Sequence, residues 1–429
     1  MQHEALWILN CPAPTFGRIA PGHYNCGPML ADDRQGITHE DDRMQIVSGV
    51  TGDDFENYVA ALKTAGGEKL LRSQIGQDKS LSCTLDGRTI HVIFFAKRQE
   101  LRVIEDPSSC PLADFGYEAR GDRQTVLYQY GLYYDPDNNM TTRTANCGML
   151  YIIRLSDNSL FMIDGGFILQ WNEEAIEGLW QFMRKITGSE KVRISAWYFT
   201  HTHADHIDGC VKLLNRHHAD IALERVFCNF PHYQALGGYE ISFFLFKEQL
   251  KKWYPQAKAL KIHTGQRFSL ADVDIEVFFT HEDGVKKEDI TRFPFRDGNC
   301  MSAILKLTFG SKTLMLLGDT NLESEAVLAT YSDPGAWKAD LVQVAHHCFN
   351  YLDTLYEWIA APAAIVPNNY GGAHQPENAP KLAAVLKHIE DGKIWYEGGG
   401  TDGLIPTEEG WVLAEHYDLV GGEYDFSGY

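Results

Sequence analysis

Apolar residues first recur at helical spacing behind a capping signal. Thr51 and Asp54 precede Phe55, Tyr58, Val59, Leu62 and Ala65, and Gly66-Gly67 closes the run, so the spacing predicts a helix over 51–65. Three alternating or continuous apolar runs follow, at 81–85, 89–95 and 101–104, with Asp86-Gly87 as a hairpin turn between the first two. Residues 1–45 carry scattered Pro and Gly and then the charged run 32–43, and no regular structure is expected there. A Pro-bounded stretch at 107–111 and the polar residues 117–124 read as a linker. The expected division is therefore a small N-terminal α+β domain at 1–125, of unassigned role, and a larger domain at 126–429.

Beyond residue 126 strands alternate with helices, which predicts a layered α/β architecture. Runs at 149–155 and 160–163 meet at Asp157-Asn158, and the second enters Asp164-Gly165-Gly166. A helix is expected at 175–186, a buried strand at 192–199, and a helix at 210–214. A second hairpin spans 301–309 and 313–317 around Gly310-Ser311 and ends in Gly318-Asp319; the strand-like run 340–345 ends in His346-His347. Hairpin, acidic residue, helix, strand and histidine thus occur twice, which suits two β-rich sheets packed face to face with helices outside.

Composition changes this picture little. With 429 residues, 44% hydrophobic and 22% charged, the chain is globular in character. A net charge of -20 argues against a nucleic-acid partner, and a small-molecule substrate is expected instead. No run reaches the roughly 20 apolar residues of a membrane span, and residues 1–9 lack a basic, long-cored leader, so a cytoplasmic protein with no membrane partner is expected. Nine scattered cysteines without a C-x-x-C pair predict neither a disulfide framework nor a zinc ribbon. Self-association is left open.

The chemistry concentrates in Thr200-His201-Thr202-His203-Ala204-Asp205-His206. Alternate side chains of an extended segment share a side, so His201 and His203 can grip one metal ion, while Asp205 and His206 face a second position. Imidazoles with a carboxylate suit two divalent ions, Zn first, with Mn or Fe as alternatives, and a two-ion site is hydrolytic machinery.

His201-x-His203-x-Asp205-His206 resembles the signature of the metallo-β-lactamase superfamily, and the order of later segments over about residues 126–415 agrees with it. The resemblance implies a four-layer αββα sandwich and a two-metal hydrolase. It implies that Asp164 orients the metal histidines, that Asp319 bridges the metals, and that His346 completes the second one. His347 then stabilises developing charge or protonates the leaving group after attack by a metal-bound hydroxide. Many members have a further histidine on the His201–His203 metal; His232, His263 and His281 are the candidates, His232 the best placed. Gly298-Asn299-x-x-Ser302 and residues 339–347 are similar to the branch of competence-protein hydrolase domains and phosphorylcholine esterases, although Cys348-Phe349 replaces that branch's Gly-Ser. This implies a phosphodiester or phosphorylcholine-like ester as substrate, ahead of an acyl bond (lactone, thioester or amide) or a non-catalytic metal-binding module. Asn299, and His374 in the Gly-rich loop 368–374, are further candidates for substrate contact; Cys210 and Cys348 are expected to be buried and structural.

Overall fold

The computed structural model describes residues 6–27, 29, 43–106, 112–132, 148–166, 172–232, 241–390, 392–398 and 400–418. Most of the charged run 32–43, the linker residues 107–111, and Cys110 and Cys147 lie outside them.

The protein is a mixed α/β structure in which two sheets form a sandwich. The first runs in the order Lys258–Lys261, Arg225–Cys228, Val192–Tyr198, Leu160–Asp164, Leu150–Arg154, Val126–Gln129, Gly400–Thr407 and Gly410–Asp418, with Ile221–Leu223 also paired to Val192–Tyr198. The second runs Arg267–Leu270, Val273–Phe279, Ile304–Phe309, Lys312–Leu316, Leu341–Gln343, Ala364–Val366 and Ile394–Tyr396. Ile153, Phe161, Ile163, Ala196 and Phe227 of one sheet share a buried core with Ile275, Leu305, Leu307, Leu316 and Ile365 of the other. Helices Glu173–Thr187, Ala204–His217 and Ile241–Trp253 cover the outer face of the first sheet. Leu322–Leu328, Asp353–Ile359 and Ala379–Leu386 cover the second. This is the four-layer αββα arrangement expected.

Leu160–Asp164, Val192–Tyr198 and Arg225–Cys228 are mutually parallel, as are Lys312–Leu316, Leu341–Gln343, Ala364–Val366 and Ile394–Tyr396. Their carboxyl ends therefore open on a common edge of each sheet, the place where loops can carry chemistry on a rigid base.

A third sheet lies ahead of these in the chain, in which Arg43–Ser48, Glu100–Asp106, Arg88–Phe95, Asp78–Leu85 and Glu68–Ile75 pair in that order. The helix Gly52–Thr64 lies on it, its Thr51 and Asp54 forming the expected capping box. The expectation of no regular structure in 1–45 is corrected by the short strands Arg18–Ile19 and Tyr24–Asn25, which pair with Arg43–Ser48.

Buried polar contacts tie this sheet to the sandwich. His91 Nε2 lies 2.9 Å from the Thr264 carbonyl and Nδ1 2.9 Å from Ser82 Oγ. His263 lies between Glu282 Oε2 at 2.8 Å and Asp106 Oδ2 at 3.4 Å. Burial would discourage a charged His263 imidazole, but Glu282 and Asp106 outweigh it and push the pKa up to about 10. His281 Nδ1 meets the Tyr24 hydroxyl at 3.3 Å. Two of the three histidines considered for the extra ligand position thus belong to this junction.

Candidate metal centre

Asp164 is the first residue of the centre. It ends its strand with φ of 57°, a left-handed conformation unusual for a residue with a Cβ, and is fully buried. One carboxylate oxygen accepts the Thr200 N–H (2.8 Å); the other accepts the Thr200 hydroxyl (2.8 Å) and faces His206 Nδ1 (2.6 Å). Thr200 Oγ1 also lies 3.1 Å from His201 Nδ1. With Nδ1 of His206 committed as donor, its Nε2 lone pair points away from Asp164, the arrangement that orients a ligating histidine.

The adjacent strand Val192–Tyr198 delivers the His-rich segment, and the helix Ala204–His217 begins immediately after His203. The turn between them brings the imidazoles together, edge-on for His201 and His203 with ring centroids 4.6 Å apart and tilted for His201 and His206 at 4.2 Å.

From the second sheet come Asp319 and the two later histidines. Gln343 Oε1 accepts the N–H groups of Leu317 and Gly318 at 2.8 and 2.7 Å, and Ser302 Oγ accepts that of Asp319 at 2.9 Å. Gly318 has φ of 55°, and a Cβ there would come within 2.9 Å of the Thr200 side chain, so only glycine lets this turn approach the first sheet.

Asp319 Oδ2 is the meeting point. It lies 3.2 Å from His206 Nε2, 3.4 Å from His347 Nε2, 3.7 Å from His346 Nε2 and 3.8 Å from His201 Nε2. Asp205 Oδ2 is 3.4 Å from His347 Nε2 and 3.8 Å from His206 Nε2. Ligand atoms of Asp205, His206, Asp319 and His347 all lie within 4.8 Å of one another.

The sequence-based expectation gave His346 as the last ligand and His347 as a charge-stabilising neighbour; the geometry brings His347 to Asp205, His206 and Asp319. His347 joins Asp205 and His206, with Nδ1 held 3.0 Å from the Pro367 carbonyl and the Asn368 side chain donating to the His347 carbonyl at 2.9 Å. His346, its side chain 24% exposed, faces the same Asp319 oxygen. The cause is the backbone: His346, His347 and Cys348 take left-handed φ values of 48°, 50° and 67° in succession, so the chain turns where a continued strand would have sent the rings to opposite faces.

Electrostatics mark the same point. Burial alone would raise the Asp205 and Asp319 carboxyls, yet His206 and His347 beside both hold them below the usual carboxylate range. Burial likewise opposes charge on His206, but Asp319, Asp164 and Asp205 push its pKa up to about 10. His201, buried beside His206 and His203, is driven well below the ordinary histidine value. Three carboxylates around one imidazole create a place that favours positive charge, as a proton or as a cation.

A metal fits these residues. His201 Nε2, His206 Nε2 and both Asp319 oxygens are buried without a hydrogen-bond partner among the described residues. Buried polar atoms are normally paired, and a convergent set of unpaired imidazole and carboxylate atoms has the composition of a metal-ligand set.

The remaining candidates lie elsewhere. His232 is buried after the strand Arg225–Cys228, where its main chain packs so tightly on Gly27 that a Cβ on that glycine would sit 2.6 Å from His232 N; His232 is outside the group around Asp319. His374 is exposed, stacked on Tyr370 at 3.9 Å with Nδ1 on the Tyr370 carbonyl at 2.8 Å. Cys210 and Cys348 are buried, and burial raises both thiols, Cys348 to about 12.

Sequence reading missed Glu397. It follows the strand Ile394–Tyr396 at the site edge, is buried, and keeps Oε1 without a hydrogen-bond partner among the described residues. Burial pushes its pKa up to about 8 despite the opposing pull of His347, the Leu132 main chain and His206. The signal was present: Tyr396-Glu397-Gly398-Gly399 repeats the strand, acid and glycine pattern of Ile163-Asp164-Gly165-Gly166.

A family model described as a Beta-lactamase superfamily domain matches residues 175–345. No curated protein matches the chain. Among solved structures, the metallo-β-lactamase fold protein YhfI from Bacillus subtilis is 14% identical, covering 64% of this chain and 97% of its own, with a TM-score of 0.38. Zn(2+)-bound PqqB from Methylobacterium extorquens is 9% identical over 63% of this chain and 97% of its own, and unliganded yeast PDE1 13% identical over 64% and 97%, each with a TM-score of 0.38. Residues 175–345, which carry the segment from His201 to Asp319 and stop just short of His346, are thus similar to a β-lactamase superfamily domain.

Proposed function

We propose that the chain is a two-metal hydrolase whose substrate is a phosphodiester or a phosphorylcholine-like ester. The observation that carries this reading is the convergence of unpartnered, buried His201 Nε2, His206 Nε2 and both Asp319 oxygens with Asp205, His346 and His347. Asp205, His206 and His347 would hold one ion, His201, His203 and His346 the other, and Asp319 would serve both. His346 then fills the place for which the sequence offered no convincing histidine.

Divalent ions held there supply Lewis acidity and lower the pKa of water enough for hydrolysis near neutral pH. The chain's own residues do the positioning. Asp164 and Thr200 fix the tautomers of His201 and His206; Pro367 and Asn368 fix His347. Support for the ester class is narrower: the paired His346-His347 after residues 339–345, and the Gly298-Asn299-x-x-Ser302 run that places Ser302 on the Asp319 N–H.

The test is metal analysis combined with a substrate panel. Two equivalents of Zn, Mn or Fe per chain are expected, with turnover of bis-p-nitrophenyl phosphate or a phosphorylcholine ester. Turnover confined to lactones or thioesters would move the substrate class to acyl bonds. Fewer than two equivalents and no turnover would leave a metal-binding module.

A further inference from the structure

The centre is closed on most sides. The side chains of His201, His206, Asp319 and His347 are buried, whereas those of Asp205 and His346 are 22% and 24% exposed. Solvent, and anything dissolved in it, therefore reaches the centre along these two residues and the half-buried His203.

Phe349 stands at that opening. Its ring centroid lies 5.6 Å from that of His346 at an interplanar angle of 79°, and 5.9 Å from that of His347 at 57°, so one apolar ring borders both imidazoles. Asn299 meets His346 as well, but with a polar atom, its Nδ2 3.4 Å from His346 Nε2.

The chain holds the ring in this position. The Phe349 N–H donates to the His346 carbonyl at 2.6 Å, and the Asn350 side chain donates to the Thr320 carbonyl at 3.0 Å, just after Asp319. Cys348 and Leu352, on either side, are buried in the core under the second sheet's helices. Phe349 itself is half-buried and is not part of that core among the described residues. His347 does not need the ring for its orientation, because Nδ1 already has the Pro367 carbonyl. An aromatic side chain kept out of the core and set beside an accessible polar centre offers apolar surface that a ligand can cover.

We propose that Phe349 is a specificity-determining residue, its ring receiving an apolar or aromatic group that the substrate carries next to the bond under attack. This rests on the two-metal reading above and narrows its substrate class. The polar part of such a substrate goes to the centre, while its apolar part gains by leaving water against the ring.

Phenylphosphonate and methylphosphonate carry the same polar group and differ only in the apolar one. Isothermal titration of both into metal-loaded native protein, F349A and F349Q tests the proposal without turnover. Native protein is expected to bind phenylphosphonate roughly tenfold more tightly than methylphosphonate. F349A is expected to bring the two affinities nearly together, through weaker binding of phenylphosphonate, with both metal equivalents retained. Should F349A not fold, F349Q carries the same comparison, filling the space with a polar side chain. The proposal is overturned if native protein shows no preference, or if the variants keep the native ratio. It is also overturned if the variants weaken both phosphonates alike or shed a metal equivalent, which would make the ring a brace for His346 and His347. A Phe349-dependent ratio in a protein that turns over no phosphodiester would support the apolar preference and move only the scissile bond to another class. Native protein that binds fewer than two metal equivalents would bring down the two-metal reading, and the substrate class proposed here with it.

Discussion

Among the described residues there are two buried groupings of histidines and carboxylates, and residue type alone does not tell them apart. At the junction of the N-terminal sheet and the sandwich, His91, His263 and His281 meet Asp106, Glu282 and Asp283; at the strand ends, five histidines meet Asp164, Asp205 and Asp319. The difference is satisfaction. Both nitrogens of His91 and of His263 have partners, and Asp283 Oδ2 accepts from Thr264, Tyr331 and the Thr280 N–H, leaving only His281 Nε2 and Glu282 Oε1 unpaired among the described residues, on separate side chains. At the strand ends the unpaired atoms converge on Asp319. One grouping has spent its hydrogen bonds on holding two sheets together, whereas the other has kept them for something else.

The sharpest way to break that contrast is to remove one member of each. D319A should abolish binding of both metal equivalents and lower hydrolysis by on the order of a thousandfold, a loss comparable with that of a principal electrostatic group, with a smaller loss of stability than H263A because His206 keeps Asp164 and Asp205 as carboxylate partners. H263A should do the reverse. Removing one partner of a buried ion pair leaves Glu282 and Asp106 uncompensated and costs about 3–5 kcal/mol in chemical denaturation, with two metal equivalents still bound by whatever remains folded. If D319A unfolds the protein and H263A does not, the two groupings have been assigned the wrong way round.

D164N is expected to have a smaller effect. It keeps the volume but places an amide where His206 Nδ1 and the Thr200 hydroxyl both need an acceptor, so metal affinity should fall by about 10–100-fold while the ligands remain in place. Equilibrium dialysis against a competing chelator would measure it, and unchanged affinity would remove Asp164 from the centre.

How far the sequence could go depended on the range of the interaction. The clustering of His201 to His206 was legible because a few consecutive residues set their own geometry, Asp164 because it ends an apolar strand before two glycines, and Asp319 because it follows an apolar strand and Gly318. The placement of the His346 and His347 rings was not, since three successive left-handed residues decide which ring goes where and none of them is glycine. His263 and His281 resembled spare ligands because their partners Asp106 and Tyr24 stand more than 150 residues away in sequence. The strand Glu68–Ile75 was missed because it lies at the edge of its sheet with mostly exposed, polar residues, so it carries almost no apolar alternation to read.

The smallest expected effect separates the groupings by pH. Folded Glu397 holds its proton to about pH 8, whereas the unfolded chain releases it near the ordinary value of 4.5. Between those values the folded state binds more protons than the unfolded one, so stability falls as pH rises and levels off above about pH 8. His263, raised from 6.5 to about 10, gives a decline of the same sign in a higher window. E397Q should therefore match the native metal-free protein near pH 4.5 and become progressively more stable up to pH 8, by roughly 1–3 °C in melting temperature, while the decline between pH 8 and 10 persists. Metal loading should shrink the E397Q difference, because cations beside His347 and His206 favour the ionised carboxylate in the folded state too, and it should leave the His263 window alone. A melting-temperature difference for E397Q that is independent of metal would detach Glu397 from the centre and make it a support for the Leu132 main chain.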